Sequence, residues 1–292
     1  MNKIYQLLID SKITHPKYFQ IFHKGTRDTN KVNVLRCSKT GILILDRNIN
    51  NDKSYQDNTN YAEEGKVFLK NNVVSSKRLD DTTRRANEYL EIYNNKKVID
   101  FGCGKGEFIE AIAKKTKNIY GVELNKINRN RMNEKGFNVF ESLDNIKEKV
   151  DVVFANHVLE HLTDPQNIIA KIKDKLKLGG IFVVEVPHAK DLLIQTLNLE
   201  SFKNFTFWSE HLILHTSDSL SKFVSYFGFE TEKIYGEQRY PISNHLHWIH
   251  KNEPGGHEKL TFLNNKSLNN EYKKALQKVD KTDTLIGFFK NK

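Results

Sequence analysis

The stretch that most constrains this chain runs from Lys97 to Asn125. A short apolar run ends in an acid, Lys97-Val98-Ile99-Asp100-Phe101, and turns through Gly102-Cys103-Gly104-Lys105-Gly106. A helical stretch follows, and a second apolar run closes on Gly121-Val122-Glu123-Leu124-Asn125. This is the pattern of one βαβ unit. Glycines at alternate positions let the backbone turn sharply off a parallel strand and let a ligand approach where a Cβ would otherwise stand. The helix that begins beyond them offers free N–H groups, so a ligand belongs at the C-terminal end of the first strand. Glu123 stands about twenty residues further on, at the tip of the second strand, where a carboxylate accepts hydrogen bonds from both hydroxyls of a ribose. The unit therefore points to a nucleoside.

A dinucleotide-binding turn reads G-x-G-x-x-G, its third glycine allowing close helix packing beside a pyrophosphate. Here the spacing is G-x-G-x-G. With Asp100 before the turn and Glu123 after it, the segment Asp100 to Gly106 resembles the first motif of class I S-adenosylmethionine-dependent methyltransferases. A second block, Val150-Asp151-Val152-Val153-Phe154-Ala155-Asn156-His157-Val158-Leu159-Glu160-His161, is similar to that family's fourth strand and the turn after it. Leu178-Gly179-Gly180 leading into the apolar run to His188 is similar to its fifth strand. Trp208-Ser209-Glu210-His211, followed by Gly228-Phe229, resembles the loop and terminal strand of its polysaccharide-linked and quinone-type branches. The likeness covers residues 84 to 235 well and the flanks loosely.

The resemblance implies a Rossmann-like α/β fold, with a seven-stranded, mostly parallel sheet, helices on both faces and an antiparallel last strand in Asp283 to Phe289. It implies S-adenosylmethionine as cofactor, leaving as S-adenosylhomocysteine. The residues it places on the cofactor are Asp100, Phe101, Gly102, Cys103, Gly104, Gly106, Glu123, Leu124, Leu143 and Asn156. The segments flanking the core look like those of glycan-decorating enzymes. The reaction implied is O-methylation of a sugar or phosphate-bearing precursor of a bacterial surface polysaccharide. An RNA methyltransferase and a non-catalytic binding module are the alternatives.

Methyl transfer to an alcohol needs alignment and a group to take the proton, and histidine, with an ordinary pKa of about 6.5, suits that task. His211 is the first candidate and His188 the second, both expected at the pocket mouth. His161 is expected to lock the turn after the fourth strand. In the insertion, His245 and His247 alternate as on one strand face, near His250 and His257. No acid stands at motif spacing beside them, so no metal site is expected. Tyr240 and Trp248 suggest a packed or sugar-stacking surface, and a specificity role or a homodimer contact fits the segment better.

The chain divides into an N-terminal extension or cap, residues 1–75, and a methyltransferase domain, 76–292, with an insertion at 237–282. Val32 to Cys37 and Gly41 to Asp46 read as a hairpin around Ser38-Lys39-Thr40. An Asn-rich link follows from Asn48 to Asn60, and Tyr61 to Phe68 reads as a helix. Asp80-Asp81-Thr82-Thr83 suits the cap of a helix from Arg84 to Tyr93, with Ala86, Leu90 and Tyr93 on one face. Of two cysteines, Cys37 and Cys103, neither belongs to a disulfide framework or a metal ribbon.

The formal charge of +10 suggests attraction to anions, nucleic acid or a phosphate-bearing substrate among them, but it is spread over scattered lysines without a dense basic tail, which favours a solvated surface over a nucleic-acid footprint. No apolar run reaches the roughly eighteen residues of a membrane span, and the N-terminus lacks a leader pattern, so a cytoplasmic protein is expected.

Overall fold

The computed structural model describes residues 3–49, 66–69, 72–75 and 81–292. Helix α1 (Lys3–Asp10) buries Ile4, Leu7 and Leu8, one face at helical spacing. Strands β1 (Phe19–Thr26), β2 (Thr29–Cys37) and β3 (Leu43–Leu45) follow as an antiparallel meander, with Val34 opposite Leu45 and Arg36 opposite Leu43. The hairpin expected around Ser38 to Thr40 is therefore present. Strands β4 (Lys66–Leu69) and β5 (Asn72–Ser75) pair with each other. Lys66 to Phe68, read as the end of a helix, is strand. Val67, Phe68, Val73 and Val74 are residue types that favour strands. The remainder of that helix and the link from position 50 lie outside the described residues.

Helix α2 (Asp81–Glu88) starts earlier than expected and breaks at Tyr89 before the short α3 (Leu90–Tyr93). The central domain then alternates β6 (Lys97–Phe101), α4 (Glu107–Ile112), β7 (Asn118–Val122), α5 (Lys126–Glu134), β8 (Asn138–Phe140), β9 (Val150–Asn156), α6 (Pro165–Lys175) and β10 (Leu176–Pro187). Beyond it come α7 (Glu200–Thr206), β11 (Ile213–Leu214), α8 (Ser217–Ser225) and β12 (Phe229–Glu237). The insertion contributes α9 (Ile242–Lys251), α10 (Gly256–Lys259) and α11 (Lys266–Lys278) before β13 (Thr284–Asn291).

The large sheet has the order β12-β13-β10-β9-β6-β7-β8, and β13 runs antiparallel to both its neighbours. This is the expected seven-stranded, mostly parallel Rossmann-like arrangement. Its central strands are apolar on both faces because helices cover both. Phe154 and Val183 belong to one hydrophobic cluster, while Val153, Ala155, Phe182 and Val184 belong to the other. The chain runs outward from β6 through β7 to β8 and returns to β9 on the other side of β6. The crevice at this reversal, outside the carboxyl ends of β6 and β9, is where such sheets bind ligands.

Two connections differ from the sequence reading. His245 and His247 lie on helix α9, not on a strand. Pro241 precedes its first turn and Asn252 ends it with φ +59, so the local chemistry is that of a helix bounded at both ends. The N-terminal strands are also tied to the central domain, because β11 pairs with β3, Ile213 opposite Ile44, and completes a sheet of order β1-β2-β3-β11.

Helix α2 is docked by charge. Glu185 on β10 is fully buried and accepts hydrogen bonds from Arg84 Nη2 at 2.7 and 2.9 Å and from Arg85 Nε and Nη2 at 3.0 and 2.9 Å. The Tyr89 hydroxyl donates to it at 3.3 Å. Burial opposes its ionisation, yet His157 and Arg85 hold the carboxyl well below its ordinary value. Removing one partner of such a cluster leaves buried charge uncompensated, so Glu185→Gln is expected to destabilise by about 3–5 kcal/mol near neutral pH. A depressed carboxylate contributes fully above its unfolded pKa and loses that contribution as pH falls through the folded value. Urea unfolding of wild type and variant should therefore differ most near neutrality and converge in acid; a constant difference would exclude the ionised carboxylate as the source.

Candidate functional site

The loop after β6 is built on left-handed backbone. Gly102, Gly104 and Gly106 have φ of +75°, +53° and +80°. The N–H groups of Gly102 and Cys103 both donate to the Val122 carbonyl, at 2.8 and 3.1 Å, which bends the loop back over β7. A Cβ on Gly102 would lie 2.5 Å from Val158 Cγ2, and one on Gly106 would lie 2.1 Å from Met132 Cε. A Cβ on Gly104 would meet nothing within 4 Å. Gly104 thus faces open room, while the other two permit close packing. Glu123 Oε2 accepts from the Gly104 N–H at 2.8 Å and Oε1 from the Asn125 N–H at 2.7 Å. Burial raises the Glu123 carboxyl above its ordinary value against those two N–H groups. Asp100, at the end of β6, is pushed up to about 7 by burial, with Arg85 opposing.

This loop forms one end of a cavity of about 970 Å³. Asp100, Phe101, Gly102, Cys103, Gly104, Glu123, Leu124, Leu143 and Asn156 all line it. Gly106 does not: it is buried beneath the loop against Met132, and its part is to let helix α5 approach. Leu143 sits in a single 3₁₀ turn after β8, its side chain 2% exposed.

At the other end, β9 stops at Asn156 and His157 takes φ +56°, a left-handed conformation that a histidine adopts only when its surroundings compel it. Its N–H donates to the Glu185 carbonyl at 2.8 Å. Its ring stands between two buried carboxylates, with Nδ1 3.1 Å from Glu160 and Nε2 3.3 Å from Glu185. Burial and Arg239 work against protonation, but the two carboxylates outweigh them and hold the imidazole above its ordinary value.

Next to it, His161, Trp208 and His211 form an edge-to-face cluster, with the two imidazoles 4.9 Å apart and Trp208 5.4 Å from His211. All three line the cavity. His211 is held well below its ordinary value by burial first and then by the neighbouring His161, Arg27 and His157, so it is neutral at physiological pH. His161 closes the turn through its backbone, donating to the Val158 carbonyl at 3.0 Å, and also faces the cavity. One donor atom each of Glu160, His161 and His211 lies within 4.8 Å of the others, the residue types and spacing of ligands to one divalent ion.

His188 is not at the pocket mouth. The approach of the chain into β13 covers it: its N–H donates to the Asp283 carbonyl at 2.9 Å, and its Nδ1 lies 2.9 Å from the Thr282 carbonyl. It is fully buried away from the cavity, and burial lowers its pKa to about 4. Trp248 is likewise core, 1% exposed, whereas Tyr240 lines the cavity. Asp81, Arg85 and Arg239 also line it, with Arg239 Nε donating to Asp81 at 2.9 Å. Sequence reasoning missed them because each reaches the site by long-range docking. The one local signal was the Arg84-Arg85 pair on a helix otherwise read as packing.

Residues 74–234 match the family described as a methyltransferase domain, more than half of the chain. The chain belongs to the class I S-adenosylmethionine-dependent methyltransferases. It is similar to the ubiquinone biosynthesis O-methyltransferase of Actinobacillus pleuropneumoniae serotype 7 (strain AP76), 31% identical over 124 residues that cover 37% of this chain and 51% of that one. The corresponding protein of Thiobacillus denitrificans is 27% identical over 163 residues, covering 51% of this chain and 70% of that one. The chain thus spans about half the length of the Actinobacillus relative. Among solved structures, a methyltransferase from Archaeoglobus fulgidus aligns over 72% of this chain and 92% of its own, at 20% identity and a TM-score of 0.49. S-adenosylmethionine is the cofactor of this family, and the loop suits it: Gly104 leaves room for a ligand, and the lone pairs that Glu123 does not use on backbone N–H groups are available to ribose hydroxyls.

Two glycine variants separate binding from packing. An alanine at positive φ costs roughly 1–2 kcal/mol, so Gly104→Ala should stay folded while losing affinity for S-adenosylhomocysteine, as should Glu123→Ala. Gly106→Ala should lose stability through its collision with Met132. Calorimetric titration and thermal melts read both; wild-type affinity in Gly104→Ala would remove the loop from the binding site.

Proposed function

We propose that this chain, with residues 76–292 as its catalytic domain and 1–75 as a cap, transfers a methyl group to a hydroxyl oxygen of a small, anionic, ring-bearing acceptor. A sugar or phosphate-bearing precursor of a bacterial surface polysaccharide is the acceptor of that class we favour. The observation that carries the reading is His211, a neutral imidazole beside Trp208 on the cavity wall. Trp208 and Tyr240 offer faces to a ring, and Arg239 and Lys3 bring positive charge to the same cavity. The RNA alternative has only the dispersed net charge in its favour, and a concave cavity lined by a few aromatic and polar side chains suits a small molecule better.

In this reading Asp100, Gly104 and Glu123 hold the nucleoside, and Arg85 faces its charged tail. S-adenosylmethionine, when bound, supplies a methyl carbon on a sulfonium that an oxygen nucleophile displaces in line. The Trp208 face orients the acceptor ring. His211 takes the hydroxyl proton as the oxygen forms its bond to carbon. His157, whose charged form is favoured by Glu160 and Glu185 against burial and Arg239, is not the base in this reading.

A second reading of the acceptor rests on the relatives, which are O-methyltransferases of ubiquinone biosynthesis; it makes the acceptor a phenol. A panel of a nucleoside-diphosphate sugar, a sugar phosphate and a catechol, assayed with and without a chelator, separates the two classes and shows whether Glu160, His161 and His211 take up a divalent ion. For the base itself, the sign follows from the lowered pKa: the imidazole is competent above that value, so kcat/KM should hold as pH falls past 6.5, the ordinary histidine value, and decline only below it. His211→Asn should lower kcat by on the order of 10²–10⁴-fold and abolish that acid limb. An unchanged kcat would assign the proton to another group.

A further inference from the structure

The hairpin tip between β1 and β2 grips the segment that carries Trp208 and His211, although it belongs to the N-terminal extension. The Arg27 N–H donates to the Phe207 carbonyl at 2.8 Å, and the Arg27 guanidinium lies 4.2 Å from the centre of the Trp208 ring. Asp28 Oδ1 accepts from the Ser209 N–H at 3.1 Å, and Asp28 Oδ2 accepts from the Ser209 hydroxyl. Ser209 is 2% exposed, so its N–H and hydroxyl depend on these protein acceptors. On the inner side, Phe207 packs against Phe22 and His23 of β1, and the Leu45 N–H donates to the Leu212 carbonyl at 3.2 Å. The segment 207–212 is thus bonded to the hairpin at one end and to β3 at the other.

We propose that Arg27 and Asp28 are positioning residues for the acceptor wall, holding Trp208 and His211 in the orientation that methyl transfer requires. The proposal rests on the reading of Trp208 and His211 as that wall, and it gives the N-terminal extension a part in the reaction. The bonds that Asp28 accepts from the Ser209 N–H and hydroxyl fix the height of the loop, and the Arg27 plane fixes the tilt of the indole. Neither residue lines the cavity, so neither touches cofactor or acceptor. A displacement of about 1 Å at a reacting group costs on the order of 10²-fold in rate.

The test uses the full chain with Arg27→Ala, Asp28→Ala and Arg27→Lys. Of the two tryptophans, Trp248 is 1% exposed, so acrylamide quenching of fluorescence reports Trp208. The expected result is roughly twofold stronger quenching in both alanine variants, restored toward wild type by Arg27→Lys, which keeps the cation over the ring. S-adenosylhomocysteine affinity should be unchanged, and kcat/KM on whichever panel acceptor turns over should fall by on the order of 10²-fold. Unchanged quenching in both alanine variants overturns the proposal, and so does a parallel loss of S-adenosylhomocysteine affinity, which would make the hairpin a general support. If wild type itself fails to bind S-adenosylhomocysteine, the cofactor assignment fails, and the quenching comparison still decides the hairpin's role.

Discussion

The buried carboxylate of Glu185 is the point on which the rest of the site depends. A fully buried charge is tolerated only when its partners are placed closely enough to replace water, and here Arg84, Arg85 and Tyr89 from α2, with His157 from the turn after β9, supply those partners. The requirement joins three segments far apart in the chain. Helix α2 is drawn across the end of the sheet, which brings Asp81 and Arg85 to the cavity. His157 is held in left-handed backbone between two carboxylates. A single acid on β10 therefore ties helix α2 and the turn after β9 to the same cavity.

The histidines illustrate how the same residue type is divided by environment. His157 lies beside Glu160 and Glu185 and is raised; His211 is lowered, by burial first and then by His161, Arg27 and His157. Oppositely perturbed imidazoles in one cavity can separate a fixed charge from a proton acceptor. The wall that carries His211 comes from the segment before β11, and β11 is paired with β3, so the small N-terminal sheet holds one side of that wall.

Much of this was legible in the chain. The G-x-G-x-G turn announces itself because left-handed backbone demands glycine, Glu123 stands out because it closes the next apolar run, and the apolar runs of β6, β9 and β10 mark strands buried on both faces. His188 and His211 could not be told apart, because what separates them is the covering of His188 by Thr282 and Asp283, almost a hundred residues away. The helical nature of α9 was obscured by the alternation of His245 and His247, a two-residue coincidence outweighed by the boundaries at Pro241 and Asn252. Arg85, Arg239 and Asp81 carry no local pattern that distinguishes them from surface charge, since their place is set by Glu185 and by each other.

The most direct test of the account is a crystal structure of the chain with S-adenosylhomocysteine bound. The account predicts both ribose hydroxyls on the Glu123 carboxylate, the nucleoside passing over Gly104, and the sulfur directed toward the wall of Trp208 and His211. A ligand seated elsewhere, or one in this cavity with Glu123 bonded only to the N–H groups of Gly104 and Asn125, would contradict it.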